Sequence, residues 1–139
     1  MMIYREMTKE DYDAAYGLWE NTAGMGLSAA DSRDEIIRFL ERNRGLSHVC
    51  IAPDGGIAGT ALCGHDGRRG FLYHVAVGGQ YRGKGIGREL VTRCLDRLRS
   101  EGIAKCHLMV IGSNAGGQRF WSGIGWELRD SILLYSHST

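Results

Sequence analysis

The chain has 139 residues, 43% of them hydrophobic, and its 17 lysines and arginines nearly balance its 16 aspartates and glutamates. A chain of this length can bury a core but is too short for a two-domain nucleotide enzyme, so we expect a single domain over residues 1–139. The balanced charge argues against a broad nucleic-acid-binding surface. No apolar run reaches the length of a membrane span, and the first ten residues are charged, so we expect a cytoplasmic protein with no membrane partner.

The four cysteines lie far apart inside apolar segments and form no Cys-x-x-Cys pair. This distribution is typical of buried, reduced thiols rather than of disulfides or metal ligands. The histidines show no metal-ligand spacing either. We therefore expect no metal site.

The first half of the chain predicts a strand, two helices and then a hairpin. Apolar residues recur at helical spacing in both helices, and the second helix is flanked by charged residues that face solvent. The hairpin surrounds the turn sequence PDGG, which contains the only proline. These predicted elements are a strand at 3–7, helices at 12–19 and 32–44, and strands at 48–52 and 57–63.

The second half predicts a third antiparallel strand, then a helix and a strand that make a parallel crossover, and finally a short helix and a hairpin. The predicted ranges are strand 71–77, helix 86–100, strand 106–111, helix 114–123 and the paired strands 126–129 and 132–135. Together the two halves predict an α/β (mixed α+β) fold. Its central sheet is mixed but mostly antiparallel, with about seven strands and about four helices.

The run QYRGKGIG at residues 80–87 lies between a predicted strand and the most regular predicted helix. Glycines at alternate positions leave the main chain unshielded, so consecutive N–H groups can converge on phosphate oxygens where the helix dipole is positive. Basic side chains add charge around the same point. The run therefore predicts an anion site, with an ordinary glycine-rich turn as the alternative. The glycines are Gly83, Gly85 and Gly87, and the basic residues are Arg82, Lys84 and Arg88.

Two familiar phosphate-binding loops do not fit this run. Gly78 to Lys84 has the spacing of a nucleoside-triphosphate loop, but Gly85 stands where a serine or threonine should hold magnesium. No acidic residue ends the strand at 105–111 to supply a second magnesium ligand. The glycine spacing also differs from Gly-x-Gly-x-x-Gly, the dinucleotide fingerprint. A magnesium-nucleotide protein is therefore only a distant third interpretation.

Three ordered motifs resemble one family. Gln80, Gly83 and Gly85 match the loop Gln/Arg-x-x-Gly-x-Gly/Ala, directly after a strand that ends Val-Ala-Val. Asn114, an aromatic pair at residues 120–121 and the sequence GIGW at 123–126 follow in the family order. On these residues the chain resembles the GNAT superfamily of acetyl-CoA-dependent N-acyltransferases over nearly its whole length. The turn DGRRG at 66–70 is similar to one in small bacterial members.

The resemblance implies a GNAT-like fold with acetyl-CoA as cosubstrate. In the family, the two strands next to the loop splay apart, and pantetheine fills the gap by bonding to the exposed main chain. The coenzyme A pyrophosphate would lie on the loop amides. Asn114 would contact the cofactor or, alternatively, cap a helix. Trp121 would pack against the pantetheine or acyl end or, alternatively, only against the sheet. The implied cofactor contacts are Val75, Ala76, Val77, Arg82, Gly83, Lys84, Gly85, Ile86, Gly87, Arg88, Asn114 and Trp121.

The implied reaction is direct attack of a primary amine, on a small molecule or a protein, on the thioester in a ternary complex. The acid and base positions used by many members hold Trp121 and Met109, which cannot serve. We predict Tyr73 as the catalytic replacement, because strand alternation puts it on the same face as Val75 and Val77, although it could also be a core aromatic. The same alternation puts His74 on the other face. Tyr135 is a third candidate.

An acetyl-CoA-binding module without turnover is the alternative function, because the usual acid and base are missing. The expected partners are acetyl-CoA and an amine acceptor, without nucleic acid. A homodimer is compatible with the resemblance, since family members are often dimers. In this fold residues 19–32 line the acceptor side, where Glu20 and Asp31 could attract a cation or could equally be solvated or capping residues.

Overall fold

The computed structural model describes residues 1–139, which form two compact units, Met1–Met109 and Val110–Thr139. The first unit contains a five-stranded sheet in the order β1-β2-β3-β4-β5. The first four strands are antiparallel to their neighbours, and β5 is parallel to β4, as predicted from the crossover. The strands are β1 Ile3–Glu6, β2 His48–Ile51, β3 Ile57–His65, β4 Gly70–Val77 and β5 Cys106–His107.

Helices cover both faces of this sheet. Side chains of successive strand residues point to opposite faces, and β3 shows the two environments: the Thr60 hydroxyl bonds to Trp19 in the first helix, whereas a Cβ added at Gly59 would meet Leu90 in the third. The first two helices therefore lie on one face and the third on the other. The helices are α1 Tyr12–Glu20, α2 Arg33–Arg42 and α3 Ile86–Ser100, each close to its predicted range.

The thiols lie mainly beneath α3. Cys50, Cys63 and Cys94 are buried and Cys106 is partly buried, and all four are free. A hydrogen bond with Cys94, together with burial, raises the pKa of Cys63 far above its usual range. Burial also raises the pKa of Cys50, and that of Cys106 to about 12. Each of these three thiols is therefore held in its neutral form at physiological pH.

Strand β4 carries one extra residue relative to β3. Leu62 pairs with Tyr73, whereas Thr60 pairs with Ala76, so two residues of β4 lie opposite one residue of β3. This is a β-bulge. Within it, His74 has a left-handed φ of 47°, a conformation that costs a non-glycine residue roughly 1–3 kcal/mol.

The pairing of β4 with its other neighbour, β5, ends before the bulge. Only Gly70 and Phe71 pair with β5, which is two residues long rather than the six predicted. From Leu72 to Val77 the edge of β4 that faces away from β3 has no partner strand. The structure thus leaves a row of main-chain polar groups open along the second half of β4.

The second unit contains one helix, α4 Ala115–Gly123, where a helix was predicted. The predicted hairpin at 126–129 and 132–135 is wrong: a turn forms, with Ile132 N–H donating to the Arg129 carbonyl, but no ladder follows it. An isolated two-stranded hairpin is marginal without a third strand or a packed face, and the apolar side chains of 132–135 are exposed. The sheet therefore has five strands rather than about seven. None of the helices combines the length and the apolar character that crossing a membrane requires.

The close fit of β3 against α2 gives a test of the fold. A Cβ added at Gly64 would lie 2.8 Å from the Asn43 amide group, which bonds to the Phe39 carbonyl and to the His65 N–H. Gly64→Ala should therefore lower the free energy of unfolding by about 1–3 kcal/mol, because the buried amide must move.

The control is Gly17→Ala in α1, where an added Cβ meets nothing within 4 Å. Alanine is the better helix former, so this variant should gain up to about 1 kcal/mol. Chemical denaturation of both variants measures the difference. A Gly64→Ala protein as stable as the wild type would contradict the packing described here.

Candidate functional site

The start of α3 presents main-chain donors without acceptors. In residues 83–88, no N–H group donates a hydrogen bond to the main chain or to a side chain. The first intrahelical bond that uses this segment is from Glu89 N–H to the Gly85 carbonyl. Four orphan donors are expected at a helix start, together with the positive end of its dipole. Here the N–H groups of the preceding loop, at residues 83–85, form a continuous row with those of the helix start.

Two glycines give the loop its shape. Gly83 and Gly85 have φ values of 78° and 79°, in the left-handed region that favours glycine. Both are exposed, and a Cβ added to either would meet nothing within 4 Å. Gly85 is also the helix N-cap residue and offers no side chain to its own amides. The glycines are therefore required by backbone conformation, and they leave open space above the donors.

The charges around the loop are positive and partly free. Lys84 and Arg88 are exposed and form no ion pair, whereas the Arg82 Nε–H donates to the Val77 carbonyl at 3.2 Å. On the next turn of α3, Arg93 pairs with Glu89. The predicted cluster of basic residues is thus present, but Arg82 also ties the loop to the end of β4.

The open edge of β4 leads into this loop. Val75 and Val77 are partly buried, Ala76 is buried, and Gly78 N–H bonds to the Ala58 carbonyl to hold the end of the strand. The splay between β4 and β5 therefore exposes main chain beside the donor row. This arrangement can take an extended ligand that has amide groups along its length and an anion at its end.

Tyr73 lies just before the bulge and is 37% exposed. Its ring packs edge to face against Phe39 of α2, 6.0 Å between centroids, and its hydroxyl makes no hydrogen bond within the protein. Burial, with a smaller contribution from Cys106, raises the pKa of Tyr73. The side chain is therefore a neutral phenol near neutral pH.

The bulge corrects two predicted orientations. Tyr73 lies on the α1 and α2 face, whereas Val77 pairs with Gly59, whose Cβ position faces α3, so Tyr73 does not share a face with Val75 and Val77. The extra residue shifts the alternation by one position. His74, predicted on the opposite face from Tyr73, lies on the same face, with its ring 4.6 Å from that of Trp19.

A buried polar network surrounds His74, and sequence reasoning did not find it. His74 Nε2 lies 2.6 Å from an Asp31 carboxylate oxygen, and the other oxygen accepts from Ser28 N–H. The Thr60 hydroxyl accepts from the Trp19 indole N–H and donates to the His74 carbonyl. The sequence predicts Asp31 only as a cation-attracting, solvated or capping residue. Its carboxylate accepts from Ser28 N–H in the capping box of the short helix Ala29–Asp31, and it bonds to His74 as well.

The second unit holds two other predicted cofactor contacts. Asn114 is the N-cap of α4, its side-chain oxygen accepting from Gly117 N–H at 2.9 Å. Trp121 packs edge to face between Phe120 and Trp126. The capping alternative for Asn114 is therefore observed, and the cofactor contacts of both residues stay predictions. No group of three or more His, Cys, Asp or Glu side chains is arranged to hold a metal ion.

Solved structures share this fold. PaiA N-acetyltransferase from Thermoplasma acidophilum, in complex with coenzyme A, superposes with a TM-score of 0.81 at 19% identity, over 94% of this chain and 92% of that one. AAC(6')-Iy, in complex with the bisubstrate analog CoA-S-monomethyl-acetylneamine, gives a TM-score of 0.77 at 19% identity, over 100% and 99%.

Sequence comparisons agree with the fold and with the predicted resemblance. An acetyltransferase of Sodalis glossinidius is 31% identical over 133 residues, which is 96% of this chain and 92% of that protein. An acetyltransferase of Pectobacterium atrosepticum is also 31% identical, over 96% and 93%. The model of the acetyltransferase (GNAT) family matches residues 6–126. The chain therefore belongs to the GNAT family of acetyltransferases.

Proposed function

We propose that this acetyltransferase moves an acetyl group from acetyl-CoA to a primary amine of a small molecule or a protein, by direct attack in a ternary complex. The observation that carries the proposal is the row of main-chain donors at residues 83–88, which have no acceptor in the protein. A coenzyme A pyrophosphate supplies acceptor oxygens and negative charge, and a helix N-terminus favours both.

The glycine loop fits the pyrophosphate of coenzyme A, and the open edge of β4 fits its pantetheine. The space above Gly83 and Gly85 lets phosphate oxygens approach the amides of 82–87, and Lys84 and Arg88 add unpaired positive charge. The open edge of β4 offers main-chain groups at Val75 and Val77 for the pantetheine amides. Asn114 and Trp121 remain proposed contacts of the cofactor.

The reaction needs two proton transfers. The amine nitrogen attacks the thioester carbonyl carbon, an N–C bond forms, the C–S bond breaks, and the sulfur leaves as a thiolate unless it is protonated. Tyr73 is proposed to give that proton, because its partly exposed hydroxyl has no hydrogen-bond partner within the protein and lies beside the bulge of β4. A main-chain N–H near Val75 to Val77 would stabilise the oxyanion of the tetrahedral intermediate.

A cytoplasmic location remains part of the proposal, supported by the free, buried thiols. The acceptor is proposed only as a primary amine. The structural neighbour AAC(6')-Iy is in complex with a bisubstrate analog, CoA-S-monomethyl-acetylneamine. At 19% identity that likeness does not carry the acceptor over to this chain.

The donor row can be tested through coenzyme A affinity. Gly85→Ala should weaken coenzyme A binding about tenfold, because an L-residue at this positive φ costs about 1–2 kcal/mol and the loop must move its amides to relieve the strain. Isothermal titration calorimetry measures the change.

The matched control is Gly67→Ala, which places the same strain, at a φ of 93°, in the turn between β3 and β4. It should lose comparable stability and keep the wild-type affinity. If wild type, Gly85→Ala and Gly67→Ala bind coenzyme A equally, or if none of them binds it, the loop is not the cofactor site.

The role of Tyr73 can be tested by removing its hydroxyl. Tyr73→Phe should lower kcat by about 10²-fold or more, the usual contribution of a general acid, with coenzyme A affinity unchanged. Release of the coenzyme A thiol in the presence of a panel of amines measures the rate. Tyr135→Phe is the control, since Tyr135 is 87% exposed and should be silent.

Three other outcomes would change the assignment. A Tyr73→Phe enzyme with the wild-type rate would remove Tyr73 from the chemistry. A slow Tyr135→Phe enzyme would move the role to that residue. Clear binding of acetyl-CoA without turnover of any amine would favour the binding-module alternative, which the methionine and tryptophan at the usual base and acid positions motivate.

A further inference from the structure

His74 has the environment of a positioned proton acceptor. Its Nε2 lies 2.6 Å from Asp31 Oδ1, and the side chains of both residues are nearly buried, 12% and 9% exposed. A carboxylate oxygen can only accept here, so Nε2 carries the hydrogen and the second ring nitrogen, Nδ1, keeps its lone pair. An aspartate that fixes a histidine tautomer in this way also stabilises the imidazolium form.

The Asp31 carboxylate is itself held in place. Its second oxygen accepts from Ser28 N–H at 2.9 Å, and its main-chain carbonyl accepts from the Tyr12 hydroxyl at 2.7 Å. Trp19 packs its ring against that of His74, and Thr60 bonds to the His74 carbonyl. The His74 ring is therefore held by packing against Trp19 and by the bond from Nε2 to Asp31. The main chain of His74 is held by Thr60 of β3.

The remaining nitrogen has no partner within the protein. His74 Nδ1 makes no hydrogen bond, and no buried side-chain nitrogen or oxygen lacks a partner, so this atom is not fully buried. It belongs to the bulge residue that follows Tyr73, at the point where β4 has lost its second partner strand. The strained φ of 47° is what turns the side chain to the same face as Tyr73.

We propose that His74 Nδ1 accepts the proton that the acceptor amine must lose, with Asp31 as its positioning residue. This inference rests on the proposed acetyl transfer. As the N–C bond forms, the amine proton moves to Nδ1, and the Asp31 carboxylate balances the imidazolium charge. Tyr73 gives its proton to the departing thiolate. His74 then releases its proton to solvent and Tyr73 recovers one, so both residues end as they began.

Few other groups can titrate beside this ring. Tyr12 of α1 touches Asp31 through its hydroxyl, and Tyr73 precedes His74 on β4. Arg33 of α2 lies over the Tyr12 ring and pairs with Asp13. The β3 and α1 neighbours in direct contact, Thr60 and Trp19, carry no charge. Among these neighbours, Asp31 is the only charged group in direct contact with the His74 ring.

The kinetic test uses His74→Asn, because asparagine also tolerates the left-handed backbone but cannot take the proton. We expect kcat/KM to fall about 10²-fold or more, with coenzyme A affinity retained and some stability lost, because Asp31 loses its partner. The profile of kcat/KM against pH should differ in shape between the wild type and His74→Asn, because only the wild type has this proton acceptor, whereas the titration of the acceptor amine is common to both enzymes. Asp31→Asn should show a smaller loss. His65→Asn, at the end of β3, is the matched control and should behave as wild type.

A second measurement does not depend on turnover. Nitrogen-15 NMR of the histidine rings in the wild-type protein should show neutral His74 with a protonated Nε2 and a bare Nδ1. Protonation of Nδ1 in the neutral ring would overturn the inference. So would a His74→Asn enzyme that keeps both the wild-type rate and the wild-type pH profile, in which case acetyl transfer itself stands. Wild-type protein that binds acetyl-CoA but turns over no amine would remove both proposals together.

Discussion

The Thr60 hydroxyl is the constraint on which the site depends. It accepts from Trp19 and donates to the His74 carbonyl, so one buried atom joins α1, β3 and the bulge of β4. Thr60 is fully buried, and a buried hydroxyl left without partners is costly, which favours keeping both bonds. The extra residue of β4 is thereby fixed at one position in the sheet rather than free to slide along it.

This fixed bulge serves both faces and the edge of the sheet. Before it, Tyr73 faces α2, and within it His74 turns to Asp31 on the same face. After it, Val77 faces α3 and the strand runs without a second partner into the glycine loop. One irregularity in one strand thus lies between Tyr73 and the unpaired strand end that leads into the glycine loop, and it turns His74 to the face where proton transfer is proposed.

Local sequence patterns predicted most of this architecture but did not predict the β-bulge of β4. The helices α1, α2 and α3 follow from apolar spacing and charged flanks, and the loop follows from glycines whose positive φ the structure requires. The bulge has no local pattern, because its causes, Trp19, Asp31 and Thr60, lie far from His74 in sequence. The prediction of a C-terminal hairpin is wrong for a related reason. Its turn is encoded locally, but a stable ladder needs a third strand or a packed face, which a local pattern cannot report.

The buried thiols have a practical consequence. Chromogenic and alkylating thiol reagents react with the exposed thiolate form. Cys50, Cys63 and Cys106 are held protonated by their surroundings, and Cys94 is fully buried. The folded polypeptide should contribute little background to a colorimetric assay based on such reagents. Free coenzyme A can then be followed continuously in the presence of native protein, without cysteine substitutions that would disturb the packing beneath α3.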